Sequence, residues 1–308
     1  MATIRIGTRK SELARTQTGE VAAVLRKAGF RVETVLLQTV GDRARDARFS
    51  ELGPGSFTRA LDEALCAGDI DCAVHSAKDV PTDIPPEIVI AAFVAREAPQ
   101  DAAVLAGGAR RLADLPAGAC VGTSSTRRRA LLLNLYPGLA TAELRGNVHT
   151  RLRKIDEQRL AGAVLACAGL SRLGLADRAT ERLDPRVFVP APGQGALAVS
   201  ALGEGAFAAD LRALLDDAAT RAAVEAERTF LARLGGGCQV PAGAYAECEG
   251  MRLVLHAVLL STDGRECLRS VVEGRADAPA RAGGRAAEEL LDAGGEALVR
   301  RARGGCAS

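Results

Sequence analysis

Four stretches of the chain combine glycine or hydroxyl side chains with Arg or Lys: Gly7-Thr-Arg-Lys-Ser11, Ser76-Ala-Lys78, Gly122-Thr-Ser-Ser-Thr-Arg-Arg128 and Arg145-Gly-Asn-Val-His-Thr-Arg151. In each, a strand is expected to end, a glycine or hydroxyl group follows, a helix begins, and Arg or Lys sits near its start. Free N–H groups at a helix start, with hydroxyls and a basic side chain beside them, make an anion site. Arg suits carboxylates because its planar fork donates two parallel hydrogen bonds. Any one stretch also reads as a hydroxyl capping a helix. Four in two similar halves point instead to a ligand with many negative groups. No phosphate-binding glycine loop or Gly-x-Gly-x-x-Gly fingerprint is present, so a polycarboxylate fits better than a nucleotide.

The elements around these stretches alternate. Strands are expected at Ile4–Ile6, 31–38, Ile70–His75, 88–94, Ala119–Gly122, Thr141–Leu144 and Ala163–Ala166. Helices fall between them, with Leu13, Val21, Val24 and Leu25 on one face of the first and Phe57, Leu61, Ala64 and Leu65 on the second. A short helix spans Gly169–Gly174. This alternation predicts α/β layers with largely parallel sheets, whose carboxyl-edge loops converge on one cleft. Pro190-Ala-Pro-Gly-Gln-Gly195 reads as a crossing between domains. Leu253–Leu260, the Asp263-Gly264 turn and residues 265–273 read as a hairpin, and 284–301 as a helix, giving a small α+β unit from about residue 217.

Composition narrows the class. The 308 residues are 48% apolar and 25% charged, which excludes a disordered or fibrous chain and allows two or three domains. The net charge of +2 does not advertise nucleic acid, and 3% aromatics without Trp argue against a base-stacking surface. Residues 123–159, however, hold eight Arg or Lys against three Asp or Glu, so basic charge is concentrated in the second half of the pattern. No apolar run reaches a membrane span and the N-terminus lacks a secretory stretch, so a cytosolic protein is expected. The eight cysteines are too scattered for a disulfide scaffold. A zinc cluster of Cys66, Cys72 and His75 is disfavoured because Cys72 and His75 face opposite sides of one strand, and no metal is called for.

The chain resembles the porphobilinogen deaminase (hydroxymethylbilane synthase) family. The resemblance lies in Gly7-Thr-Arg-Lys-Ser-Glu-Leu-Ala14, Ala73-Val-His-Ser-Ala-Lys-Asp-Val-Pro81, Val121-Gly-Thr-Ser-Ser-Thr-Arg-Arg128, Leu144-Arg-Gly-Asn-Val148, Ala168-Gly-Leu170 with Arg172-Leu-Gly174, Pro192-Gly-Gln-Gly-Ala196 and Leu234-Gly-Gly-Gly-Cys-Gln-Val-Pro241, in the family's order over nearly the whole length. It implies two lobes similar to those of periplasmic binding proteins, in mixed, largely parallel sheets, plus a small C-terminal α+β domain. The corresponding divisions are 1–94 with 193–213, 98–189, and 217–308. It implies a transferase that joins four porphobilinogen molecules head to tail, with loss of ammonia, into 1-hydroxymethylbilane. The chain grows on a dipyrromethane primer attached through a thioether.

Residue by residue, the resemblance assigns the thioether to Cys238, whose glycine neighbours leave the sulfur accessible. It assigns catalysis to Asp79: ammonia loss puts positive charge on the pyrrole nitrogen, which a fixed carboxylate stabilises, and the same group can assist proton transfer. Ser76, Lys78, Thr123, Ser125, Arg127, Arg128, Arg145 and Arg151 are matched to the primer. Arg9, Ser11, Gln17, Phe57, Arg145, Arg151 and Arg172 are matched to the incoming substrate. Each pyrrole carries an acetate and a propionate, which accounts for so many cations. A monomer is expected, with uroporphyrinogen-III synthase acting next and no stable complex implied.

Three positions depart from the family pattern. Val40 replaces an arginine in Thr39-Val-Gly-Asp42, the stretch Glu51-Leu-Gly-Pro-Gly-Ser56 lacks the usual lysines, and His149 stands where glycine is common. They leave open a poorly active paralogue. A two-lobed carboxylate-binding or sensor protein without catalysis is the other alternative; it accounts for the arginine loops but not for Asp79 or Cys238.

Overall fold

A computed structural model describes residues 3–38, 55, 58–235 and 239–304. Cys238, Phe57, Asp42, Val40 and most of the Glu51–Ser56 stretch lie outside the described residues.

The first lobe is built on β1 (Thr3–Arg9), α1 (Glu12–Lys27), β2 (Arg31–Leu37), α2 (Arg59–Cys66), β3 (Cys72–Ser76) and β4 (Ile88–Val94). The second uses β5 (Asp101–Leu105), β6 (Cys120–Gly122), α3 (Thr126–Leu135), β7 (Ala140–Ala142), α4 (Val148–Glu157), β8 (Gly162–Ala166), α5 (Cys167–Arg172) and β9 (Glu181–Arg182). The chain then returns to the first lobe for β10 (Leu197–Leu202) and α6 (Ala206–Leu215). A third unit follows: α7 (Ala218–Arg233), the antiparallel β11 (Ala242–Glu249), β12 (Arg252–Leu260) and β13 (Cys267–Arg275), then α8 (Pro279–Leu290) and α9 (Glu296–Gly304).

The two lobe sheets share one plan. Their strand orders are β2-β1-β3-β10-β4 and β7-β6-β8-β5-β9. In each, three strands pair in parallel and a fourth, β10 or β5, runs antiparallel to both neighbours. One strand per sheet therefore opposes the rest, which makes the sheets mixed but largely parallel. That opposing strand is the one entered by a lobe-to-lobe crossing. Its first residues lie at the edge where the parallel strands end: Leu197 faces Ser76, and Asp101 faces Ala166. The crossings are thereby drawn to the ligand-binding edge.

Packing follows the apolar pattern. Ile4, Ile6, Val21 and Leu25 join Leu197, Val199 and Leu211 in a first-lobe core. Leu131, Leu132, Val164 and Phe188 form a second-lobe core that also takes in Val258 and Leu260 of the third unit. Burying Phe188, or Phe230 in the third unit's core, contributes about 1.5–3 kcal/mol each. The β12–β13 turn docks on α3, where Asn134 Nδ2 donates to the Gly264 carbonyl at 2.9 Å.

Two expectations need correction. The strand at 141–144 is the shorter β7, ending at Ala142. The single helix over 284–301 is two helices that begin earlier, at Pro279, and break at Gly294, whose φ of 100° lies in the left-handed region. Pro279 occupies the first helical turn, where its missing N–H costs nothing.

Candidate active site

Both crossings bring polar groups to the cleft. Gly193 and Gly195 have φ of 75° and 92°. A Cβ on Gly195 would lie 2.3 Å from the Glu97 carbonyl oxygen, so the two crossing strands of chain can approach only because that position is glycine. Between them Gln194 is buried and acts as a junction. Its Nε2 donates to the Pro99 carbonyl at 2.8 Å and to Asp101 Oδ1 at 2.9 Å; its Oε1 accepts from Lys78 Nζ at 3.3 Å and Arg128 at 3.4 Å. Below it, Glu227 of α7 is fully buried, bonds Arg96 through both oxygens, and accepts from the Gly193 and Ala246 amides.

Arg127 and Arg128 open α3 and are buried. Both converge on Asp101, at 2.8 and 2.7 Å, and each also donates to a backbone carbonyl, of Val189 and Val164 respectively. Burial opposes the charge on Asp101, but the two guanidiniums overcome it and hold the carboxyl well below the ordinary carboxylate range. Burial and the like charge of Arg128 outweigh the attraction of Asp101 at Arg127, so the Arg127 pKa is lowered. Both shifts run downward: two cations share one anion, so the acid is over-served, and the buried cluster keeps one positive charge uncancelled. The two arginines assigned to the primer are thus tied to Asp101 as well.

Asp79, Lys78 and Arg151 are brought together across the lobes. Asp79 closes the short 3-10 turn Ala77–Asp79 after β3, and its side chain is exposed. Its charge acts on both Lys78 and Arg151. Lys78 keeps solvent-accessible surface but is ringed by protein; desolvation first, then Arg128, pushes its ammonium down to about 8. Arg151, in the first turn of α4, is pushed down to about 10 by burial and by Arg128. Its Nε is buried and has no hydrogen-bond partner among the described residues. Arg127 Nε is in the same condition. Such donors are rare in a folded chain unless something else binds there.

The remaining candidates have varied places. Ser11 and Ser125 are N-caps, accepting from the Ala14 and Arg128 amides. Gln17 is buried and donates to Ser76 Oγ at 2.8 Å. Thr123 Oγ1 accepts from the Ser125 amide. Arg9 ends β1; burial first, and then the Arg9 charge, depress the pKa of His75 to about 4, and that ring lies 3.0 Å from Ser200 Oγ. Arg145 donates to Glu143 at 2.8 and 2.5 Å. Arg172 reaches away from its lobe to Glu20 of α1 and to the Gly195 carbonyl. His149 also crosses between lobes, with Nε2 3.2 Å from Glu12. Cys238 and Phe57 lie outside the described residues. Asp101, Arg96 and Glu227 were not singled out from the sequence; Gln194 was seen only as part of the crossing.

Lys78 and Arg151 are two cations under the charge of one carboxylate, Asp79, and both also feel the charge of Arg128 from the Arg127–Arg128–Asp101 cluster. Comparison with known proteins gives the family. The family model "Porphobilinogen deaminase, dipyromethane cofactor binding domain" matches residues 4–224, and "Porphobilinogen deaminase, C-terminal domain" matches 221–292. The chain is 47% identical to the porphobilinogen deaminase of Roseiflexus castenholzii, covering 96% of this chain and 98% of that one. It is 46% identical to that of Desulforudis audaxviator over 97% of this chain and 98% of that one. Among solved structures, lipoprotein Tp32 from Treponema pallidum is 18% identical, covers 69% of this chain and 88% of that one, and superposes with a TM-score of 0.44. The chain belongs to the porphobilinogen deaminase family.

Proposed function

We propose that Asp79 is the carboxylate with which this chain condenses four porphobilinogen molecules head to tail, releasing ammonia at each step, into 1-hydroxymethylbilane. The observation that carries the reading is the action of the Asp79 charge on Lys78 and Arg151, the last with a buried Nε that has no partner among the described residues. The donor set suits the dipyrromethane cofactor. Cys238 would hold it covalently, while Ser76, Lys78, Thr123, Ser125, Arg127, Arg128, Arg145 and Arg151 would face its carboxylates. When bound, that group supplies the primer and the nucleophilic pyrrole carbon.

The chain's own residues do the rest. Arg9, Ser11, Gln17, Phe57 and Arg172, with Arg145 and Arg151, serve the incoming substrate. Lys78 is largely protonated at neutral pH and places an ammonium beside the cleft carboxylate. As the substrate's amine leaves, positive charge grows on its pyrrole nitrogen; Asp79 accepts that N–H and stabilises the charge. The same carboxylate then takes part in removing the proton from the newly bonded ring carbon. The uncancelled charge of the Arg127–Arg128–Asp101 cluster attracts the growing polyanion without tight pairing, which favours movement of the chain through the cleft.

The division into 1–94 with 193–213, 98–189 and 217–308 is part of the reading and is supported by the three separate sheets. So are action as a monomer and a cytosolic setting. Six described cysteines, all free, support a reducing compartment, and among the described residues no helix is long and apolar enough to cross a membrane. The test is incubation with porphobilinogen, followed by ammonia assay and intact mass. The wild type should release ammonia and carry a two-pyrrole adduct that Cys238→Ser lacks. A wild type that binds porphobilinogen and releases no ammonia would be a binding protein, and the reading would fall.

A further inference from the structure

The turn that presents Asp79 is gripped from both sides by one helix of the third unit. On its N-terminal side, the Ala77 amide donates to the Ala196 carbonyl at 3.0 Å. The crossing lies so close there that a Cβ on Gly193 would be 3.1 Å from Ala77 and from the Lys78 nitrogen. That part of the crossing is held in turn by Glu227, which accepts the Gly193 amide at 2.7 Å. On the C-terminal side, the next residue of α7, Arg228, donates to the Val80 carbonyl at 2.8 Å and the Pro81 carbonyl at 2.6 Å. Five residues after its end at Arg233, the same helix leads to Cys238.

Arg228 is an odd choice for mere packing. Burial lowers its pKa, and among the described residues no carboxylate answers its charge. A half-buried cation bonded only to neutral carbonyls is costly compared with an apolar residue of similar length. Its fork, however, spans two successive carbonyls, which fixes the direction of the peptide that leaves Asp79.

We propose that Arg228 is a positioning residue: by holding the Val80 and Pro81 carbonyls it sets where Asp79 presents its carboxylate, and it does so from the helix that leads to the cofactor cysteine. The carboxylate is thereby indexed to α7, the helix that precedes Cys238 in the chain. The inference rests on the reading of Asp79 given above.

The test uses Arg228→Met, which keeps the stem and removes the donors, and Arg228→Lys, which keeps a charge and part of the bonding. Each is prepared as the full chain with its cofactor verified by intact mass, alone and combined with Asp79→Glu. Because a misplaced group loses transition-state contact more than binding, kcat per cofactor-bearing molecule should fall about twentyfold in Arg228→Met, with KM changed less than about twofold. Arg228→Lys should recover to within about fivefold of wild type. In the Asp79→Glu background either substitution should cost less than about twofold, since its effect is already lost. If Arg228→Met does not fold, the lysine variant and its double mutant decide alone. Unchanged kcat in Arg228→Met, or losses that multiply fully with Asp79→Glu, would overturn the proposal. Wild-type ammonia release in the same assay separates the two failures: without it the functional reading falls, and with it only the role of Arg228 is rejected.

Discussion

Arg127 with Arg128 and Arg151 with Lys78 are the same kinds of side chain, in the same sort of helix-opening loop, doing different work. The first pair is buried and bound to Asp101 at 2.8 and 2.7 Å. In the second, neither side chain is hydrogen-bonded to a carboxylate among the described residues: Lys78 reaches only the amide oxygen of Gln194, and Arg151 Nε, like Arg127 Nε, is buried without a partner there. The difference is a single carboxylate. Asp101 stands at the start of the opposing strand β5, within reach of α3, so Arg127 and Arg128 brace the floor of the cleft in addition to the primer role proposed for them. A guanidinium whose anion the fold already supplies carries a structural load as well as a ligand's charge.

The largest effect should come from breaking the braced side. Asp101→Asn leaves two buried guanidiniums without their anion and should cost about 3–5 kcal/mol of unfolding stability, read by urea denaturation. The deficit has a pH signature. The Asp101 pKa is depressed in the folded state, so its contribution is complete above the unfolded value of about 4 and is lost as pH falls below it. The gap between wild type and Asp101→Asn should therefore be flat above about pH 4 and narrow below it. A constant gap into stronger acid would mean that the carboxylate's charge is not what braces the two arginines.

On the open side, Arg151→Met should behave in the opposite way. It removes a buried cation whose Nε has no hydrogen-bond partner among the described residues, so unfolding stability should stay within about 0.5 kcal/mol, while KM for porphobilinogen rises about tenfold or more. A stability loss as large as that of Asp101→Asn would erase the distinction between the two regions.

Much of this arrangement is written locally in the sequence. The strand–loop–helix repeats, the hairpin around Asp263-Gly264 and the crossing at Pro190–Gly195 each depend on a few adjacent residues with strong backbone preferences. The candidate residues Lys78, Asp79 and Arg151 were legible for the same reason, as members of short motifs. Asp101 was not, because its significance lies in partners 26, 27 and 93 residues away. Glu227 meets Arg96 across 131 residues and Gly193 across 34, and no period or spacing announces such a pairing. One signal was available: an Asp directly before the apolar run Ala102-Ala-Val-Leu105 is a charge placed where a strand enters a core. The break at Gly294 was missed because the apolar face of α8 continues into α9, and pattern alone does not see a left-handed residue.

The smallest effect concerns the contacts between lobes. Glu12→Gln removes an exposed pairing with His149 and should change unfolding stability by less than about 0.5 kcal/mol. Glu20→Gln, which also loosens Arg172 at its bond to the Gly195 carbonyl, should have the greater effect of the two, because that arginine is nearly buried. Equal effects in denaturation would show that burial at Arg172 does not strengthen its pairing.

The most direct measurement compares wild type with Asp79→Asn, both carrying the verified two-pyrrole adduct, in a single-turnover assay of ammonia released from porphobilinogen. The account predicts an intact adduct, unchanged stability and a rate lower by about a hundredfold or more. A variant that carries the adduct and releases ammonia at the wild-type rate would show that the carboxylate between Lys78 and Arg151 does not perform the chemistry.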